Sequence, residues 1–343
     1  MKRFAWMILL AVASTVTAGT GTGYHLLKTI PLPGDKGWDY SLADSGSRRL
    51  YVTHGDQVLV VDMDANTLIG KIGPFQGIHG VALAPALGRG YISDGKAAAI
   101  ICFDLKTLAV IQSIPGRDDA DAITYDAFSG QVFAFNGDDQ SATVIDAKSN
   151  SVVATLALGG KPEFCALDGM GMLFVNLEDK DEVLTIDTKK RKVIRHSRVA
   201  PGTSPAAMSI DVAGGNLFVG CHNKKAMVLS TATGKVKTEL AIGERVDASV
   251  YDAALGMVFH SCGDGTVWAA KKRKDGTFEG MEAIPTKRGS RTMAVDLVTH
   301  HLYLAGADFE PVAVSRTAKE HGRPKMVAGS FGVMVFGMDK PKE

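Results

Sequence analysis

In residues 48–62, RRLYVTHGDQVLVVD, two apolar runs flank a polar break. Leu50, Tyr51 and Val52 favour an extended backbone, His54, Gly55 and Asp56 interrupt it, and Val58 to Val61 resume it. The pattern predicts two strands joined by a tight turn. It returns along the chain as GQVFAFN with SATVID, GMLFVNL with EVLTID, and GNLFVGC with a following apolar run. Helical periodicity is almost absent.

A fixed landmark turns this likeness into a period. Asp44, which ends the strand WDYSLAD, has counterparts at Pro85, Asp126, Asp168, Asp211, Asp252 and Asp296, at spacings of 41, 41, 42, 43, 41 and 44 residues. Each unit holds a short apolar strand, an Asx-type turn, a second strand, a polar turn, a third strand and a fourth such as TLIGKI or SVVATLAL. Four strands repeated seven times predict an all-β, seven-bladed β-propeller, because a lone four-stranded sheet cannot bury both of its faces without neighbours. The seventh unit has no fourth strand of its own after GSFGVMVFGM, whereas residues 24–34, YHLLKTIPLPG, look like one. The N-terminal strand is therefore expected to complete the last four-stranded antiparallel blade and remove the open edge.

The LYVTH core, the TVID strands and the KTIPLPG segment resemble the YVTN-type β-propeller repeat family, which is typically exported from bacteria. The resemblance covers essentially the whole chain after its first residues. It implies the fold and an exported location, but no particular reaction, since propellers carry binding modules and unrelated enzymes alike.

Counting five residues back from each landmark samples one ring around the channel mouth: Asp39, Gly80, Asp121, Glu163, Ala206, Asp247 and Arg291, with Trp38 and His79 next in sequence to Asp39 and Gly80. Carboxylates converging on a narrow channel repel one another unless a cation, an arginine or a raised pKa compensates. Asp39, His79, Asp121, Glu163 and Asp247 are thus candidate ligands for a divalent cation. Trp38 and Arg291 join them as candidate lining for a small molecule or protein partner. A solvated funnel whose charges pair internally is the competing reading. The landmark aspartates, and Asp62, Asp104, Asp146 and Asp187 after third strands, suit turns that accept their own backbone N–H groups. The turns at His54-Gly55-Asp56, Asp94-Gly95 and Asn136-Gly137 fit hairpin chemistry.

Composition narrows the function further. Hydrophobic residues make up 45 % and charged residues 22 % of the 343, ordinary for a chain with a sizeable core. Lys2 and Arg3 precede FAWMILLAVASTVTA, an apolar run ending in small residues, which predicts a signal peptide over 1–18 and an exported, periplasmic or extracellular domain over 19–343. A membrane anchor is the other reading of that run, but it becomes Ser/Thr/Gly-rich before it could comfortably span a bilayer. Without Lys2 and Arg3 the chain carries 36 basic and 37 acidic residues, a balance that offers no general field for polyanions.

The basic clusters KKRKVIRH (189–196) and KKRK (271–274) are expected on a solvated outer face, with nucleic-acid binding as the minor alternative. Cys102, Cys165, Cys221 and Cys262 form no CxxC pair and lie in or beside apolar runs, which suits free thiols in the core. His300-His301 reads as surface, and the polar insertion 310–325 as a loop beside one mouth. No P-loop, GxSxG or HExxH occurs. The sequence therefore favours a monomeric binding or scaffold propeller. A metal-dependent hydrolase of the propeller lactonase kind is the alternative, with Arg291 stabilising an oxyanion.

Overall fold

The computed structural model describes residues 21–311 and 324–339. The expected signal peptide and most of the 310–325 insertion lie outside them. Seven antiparallel sheets follow one another around a ring, and in the first six the innermost strand comes first in sequence. Blade one runs Trp38–Asp44, Arg49–His54, Gln57–Asp62, Thr67–Ile72, and its second and third strands are almost wholly buried.

The seventh blade closes as the sequence predicts. Its strands Met293–Asp296, His301–Gly306 and Gly332–Gly337 are joined by His25–Pro31, which pairs antiparallel with Gly332–Gly337. Ile30 and Leu32 bury themselves in the same core as Leu50, Leu59 and Phe331, so the borrowed strand also packs against blade one. One outer strand departs from the regular pattern. In blade six it is split into Phe278–Gly280 and Ile284–Pro285, where FEGMEAIP lacks the apolar alternation that its counterparts carry.

The core is divided into seven apolar clusters, each shared by two neighbouring blades. Tyr91 and Cys102 of blade two, for example, pack with Val132 and Ile145 of blade three. No blade could keep these faces dry alone, which is why the repeat must close on itself. All four cysteines are free; Cys102, Cys221 and Cys262 are buried, and Cys165 is half-buried in the channel wall. Among the described residues no helix is long and apolar enough to cross a membrane.

The turn aspartates do what their positions suggest. Asp44 Oδ1 accepts from the N–H of Gly46 and Ser47, and Asp62 Oδ1 from those of Asp64 and Ala65. Several also bridge blades: Arg48 Nη1 lies 2.7 Å from Asp296 Oδ2, Lys272 Nζ 2.7 Å from Asp211 Oδ2 and His300 Nδ1 2.6 Å from Asp252 Oδ2.

Candidate ligand site at the acidic channel mouth

The innermost strand of each of the first six blades carries a β-bulge at its start. The register slips between Trp38 and Ser41, Ile78 and Val81, Ala120 and Ile123, Pro162 and Cys165, Pro205 and Ala207, and Val246 and Ala248. A bulge inserts an unpaired residue and re-aims its side chain. Here it falls at Asp39, His79, Asp121, Glu163, Ala206 and Asp247, the second residue of each strand.

This register corrects the ring read from the sequence. Ala84, opposite Arg89, occupies the place that Asp44 holds opposite Arg49, so Pro85 is one residue too far and blade two contributes His79, not Gly80. A side chain at Gly80 would press on the Asp121 carbonyl at 3.2 Å and Ile123 at 3.0 Å, so a glycine lets blades two and three approach. Arg291 precedes the short first strand of blade seven. Trp38 is committed elsewhere, packing on Phe331 and Phe309 at ring-centroid distances of 5.4 and 6.2 Å. His54 is only 1 % exposed and stacks on Phe331 at 4.1 Å, so it supports the seam between blades seven and one.

The remaining ring residues form a charged constellation. His79 Nδ1 is 2.8 Å from Asp39 Oδ2 and 3.6 Å from Asp121 Oδ1. Asp39, His79 and Asp121 each offer a ligand atom within 4.8 Å of the others. Lys161 Nζ lies 3.0 Å from Glu163 and 3.5 Å from Glu178, and Arg291 Nε 3.0 Å from Asp247. Asp121 Oδ1 is buried without a hydrogen-bond partner. The Arg291 guanidinium meets Asp247 through Nε, and its side chain is 54 % exposed.

Confinement shows in the proton affinities. Burial, reinforced by Asp39, pushes Asp121 up to about 7. Burial and the Asp121 charge push Glu163 up to about 8, and burial with Asp39 and Asp121 takes Asp247 to about 7 against the pull of Arg291. The hydrogen bond to Asp39 raises His79 to about 9, outweighing its burial. Near neutrality the mouth holds a protonated imidazole and carboxyls that are only partly ionised.

Two features escaped the sequence reading. Tyr40 and Phe164, each following a ring residue, meet edge to face at 5.4 Å although they come from blades one and four. Burial and the surrounding acids Asp121, Asp39, Asp247 and Glu163 raise the Tyr40 phenol well above its ordinary value. Blades two, three, five and six place glycine or alanine there, at Gly80, Ala122, Ala207 and Ala248, and blade seven Thr292, so the aromatic exceptions were a legible signal. Below this pair the channel widens into a cavity of ≈ 500 Å³ lined by Leu42, Leu83, Ile123, Tyr125, Cys165 and Met293. The ring acids are not among its lining, which begins at the residues that follow them, Tyr40, Ala122 and Phe164.

The second feature is the support of the bulges. Ser93 Oγ donates to the Asp121 carbonyl, Asn176 Nδ2 to that of Ala207 at 3.2 Å, Ser261 Oγ to that of Arg291 and Thr292 Oγ1 to that of Asp39 at 2.7 Å. Each donor reaches the next blade, and Ser93 and Thr292 meet carbonyls that the bulges leave outside the strand pairing. Polar residues inside otherwise apolar second strands, as in YISD, LFVN and FHSC, were the sequence trace of this device.

No family model matches the chain, and no curated protein does. Solved structures do. A chain of hydrazine synthase from Kuenenia stuttgartiensis is similar with a TM-score of 0.70 at 15 % identity, over 80 % of this chain and 94 % of that one. A chain of a mitotic checkpoint complex gives 0.75 at 11 % identity, covering 99 % of both. The U3-55K structure gives 0.71 at 10 % identity, over 93 % of this chain and 99 % of that one. At such identities the likeness establishes the propeller architecture, a general scaffold for binding, and nothing about ligand or reaction.

Proposed function

We propose that this protein is an exported binding propeller of the YVTN kind whose acidic mouth takes a divalent cation through Asp39, His79 and Asp121. The observation that carries this reading is Asp121 Oδ1, a buried oxygen without a hydrogen-bond partner beside a carboxylate and an imidazole. A divalent ion would supply the missing partner and offset the burial and mutual repulsion that hold Asp121, Glu163 and Asp247 above the usual carboxylate range. Glu163 and Asp247, tied to Lys161 and Arg291, would surround the ion rather than ligate it. Binding would displace the His79 proton, so affinity should rise with pH. The mixed carboxylate and imidazole donors suit Mn²⁺ or Zn²⁺ better than Mg²⁺.

The test is thermal melting of the wild type, Asp121→Asn and Asp44→Asn, each with chelator and with added Mn²⁺ or Zn²⁺. The wild type and Asp44→Asn should melt higher with metal, because an ion that binds only the native state stabilises it. Asp121→Asn should lose that increment and, in chelator, melt at or above the wild type because one repelling charge is gone. A wild type that melts identically with chelator and with metal would refute the reading.

A further inference from the structure

The two mouths of the channel differ in kind. The turns between first and second strands ring the mouth opposite the acids, and four of these turns carry well-exposed apolar side chains. Phe128 is 45 % exposed, Met170 64 %, Val212 45 %, Leu297 54 % and Val298 65 %. Blades three, four, five and seven thus each raise an apolar side chain into solvent on one face.

The turns between third and fourth strands lie just outside them on the same face. Lys189 Nζ sits 3.9 Å over the Phe128 ring, and Lys272 reaches Asp211 beside Val212. Exposed basic residues fill these outer turns from blade three to blade six, including Lys148, Lys189, Lys190, Lys235 and Lys274. Of the nearby acids, Asp126, Asp211, Asp252 and Asp296 are at most 2 % exposed and accept hydrogen bonds internally, whereas Asp187 pairs with Lys190 and Asp275 stands exposed beside Lys274. The ring acids Asp39, Asp121, Glu163 and Asp247 thus line one mouth, and exposed lysines crowd the outer turns of the other.

We propose that this basic, apolar-tipped face docks on an anionic lipid bilayer. Single apolar tips can enter the headgroup boundary while the lysines around them meet anionic headgroups, the combination that holds interfacial proteins. A nucleic acid would satisfy the lysines but leave Met170, Leu297 and Val298 in water. A protein interface is built around a contiguous apolar centre, whereas these tips are spread around a channel opening. Repulsion of the acidic mouth from the same surface sets the orientation, ligand mouth outward.

Sedimentation of the purified protein with vesicles tests this, using phosphatidylcholine alone and phosphatidylcholine mixed with phosphatidylglycerol. The wild type should partition onto the mixed vesicles far more than onto phosphatidylcholine. The pair Lys189→Glu with Lys190→Glu should lower that partition on the order of tenfold or more. Met170→Asp with Val298→Asp should do the same at an unchanged melting temperature, since both side chains point into solvent. Asp139→Asn, at the acidic mouth, should bind as the wild type. The apolar residues 4–18 are common to all these proteins, so differences among them report the face. Equal partition onto both vesicle types, or wild-type binding by both double variants, overturns the proposal. So does retention on heparin that matches vesicle binding and survives Met170→Asp with Val298→Asp, which would mark a polyanion surface instead.

Discussion

His79 Nδ1 stands 2.8 Å from Asp39 Oδ2, joining blades one and two at the acidic mouth. The bond raises the imidazole to about 9 from an ordinary value near 6.5, so the folded protein holds this proton where the unfolded chain releases it. Its stabilisation is complete below pH 6.5 and disappears as pH rises through about 9.

Asp39→Asn should therefore cost stability mainly at low pH. Melting in chelator at pH 6 should show a deficit on the order of 1–3 kcal/mol relative to the wild type, shrinking by pH 9.5. A deficit independent of pH would mean that His79 is not held protonated by this partner.

Ring closure can be removed by deleting residues 19–34. The deletion takes away the strand His25–Pro31 and its pairing to Gly332–Gly337, together with Tyr24, Ile30 and Leu32, each at most 7 % exposed. The burial lost is worth several kcal/mol at about 1.5–3 kcal/mol per large side chain. Calorimetry should show a large fall in melting temperature or no cooperative transition; melting like the intact chain would refute the borrowed strand.

Arg48 and Asp296 seal the same seam from the opposite mouth, at 2.7 Å with the carboxylate fully buried. Hydrogen bonds from Ser45, Thr299 and Arg48 hold Asp296 at about 2 in spite of its burial, so its contribution is present above pH 4 and fades as pH falls through about 2. Arg48→Met leaves that charge unpaired and should cost about 3–5 kcal/mol in denaturant melts at pH 7. The double variant with Asp296→Asn should recover part of the loss.

His260 is 1 % exposed, and neither ring nitrogen has a hydrogen-bond partner. Burial lowers it to about 4, so unfolding takes up a proton between there and pH 6.5, and stability falls as pH falls through that window. His260→Leu sacrifices no polar contact and should melt near the wild type at pH 7.5 while losing less between pH 6.5 and 4.5. Equal acid sensitivity of the two proteins would assign the lability to other groups.

The landmark series from Asp44 to Asp296 was enough to name the architecture, because hairpin patterning is local and a short-strand blade has no stable existence apart from its neighbours. The same series located Asp39, Asp121, Glu163 and Asp247, and the unmatched strand at 24–34 showed how the ring closes. Counting failed at blade two, where bulge register alone separates His79 from Gly80. It was also blind to Tyr40 meeting Phe164, to the polar second-strand residues that hold the bulges, and to the basic, apolar face opposite the acids. Those depend on distances between residues in different blades, which exist only once the ring has closed. The proton affinities of Asp121, Glu163 and Asp247 belong to the same class, since desolvation and mutual repulsion are properties of the assembled channel and not of any segment of the chain.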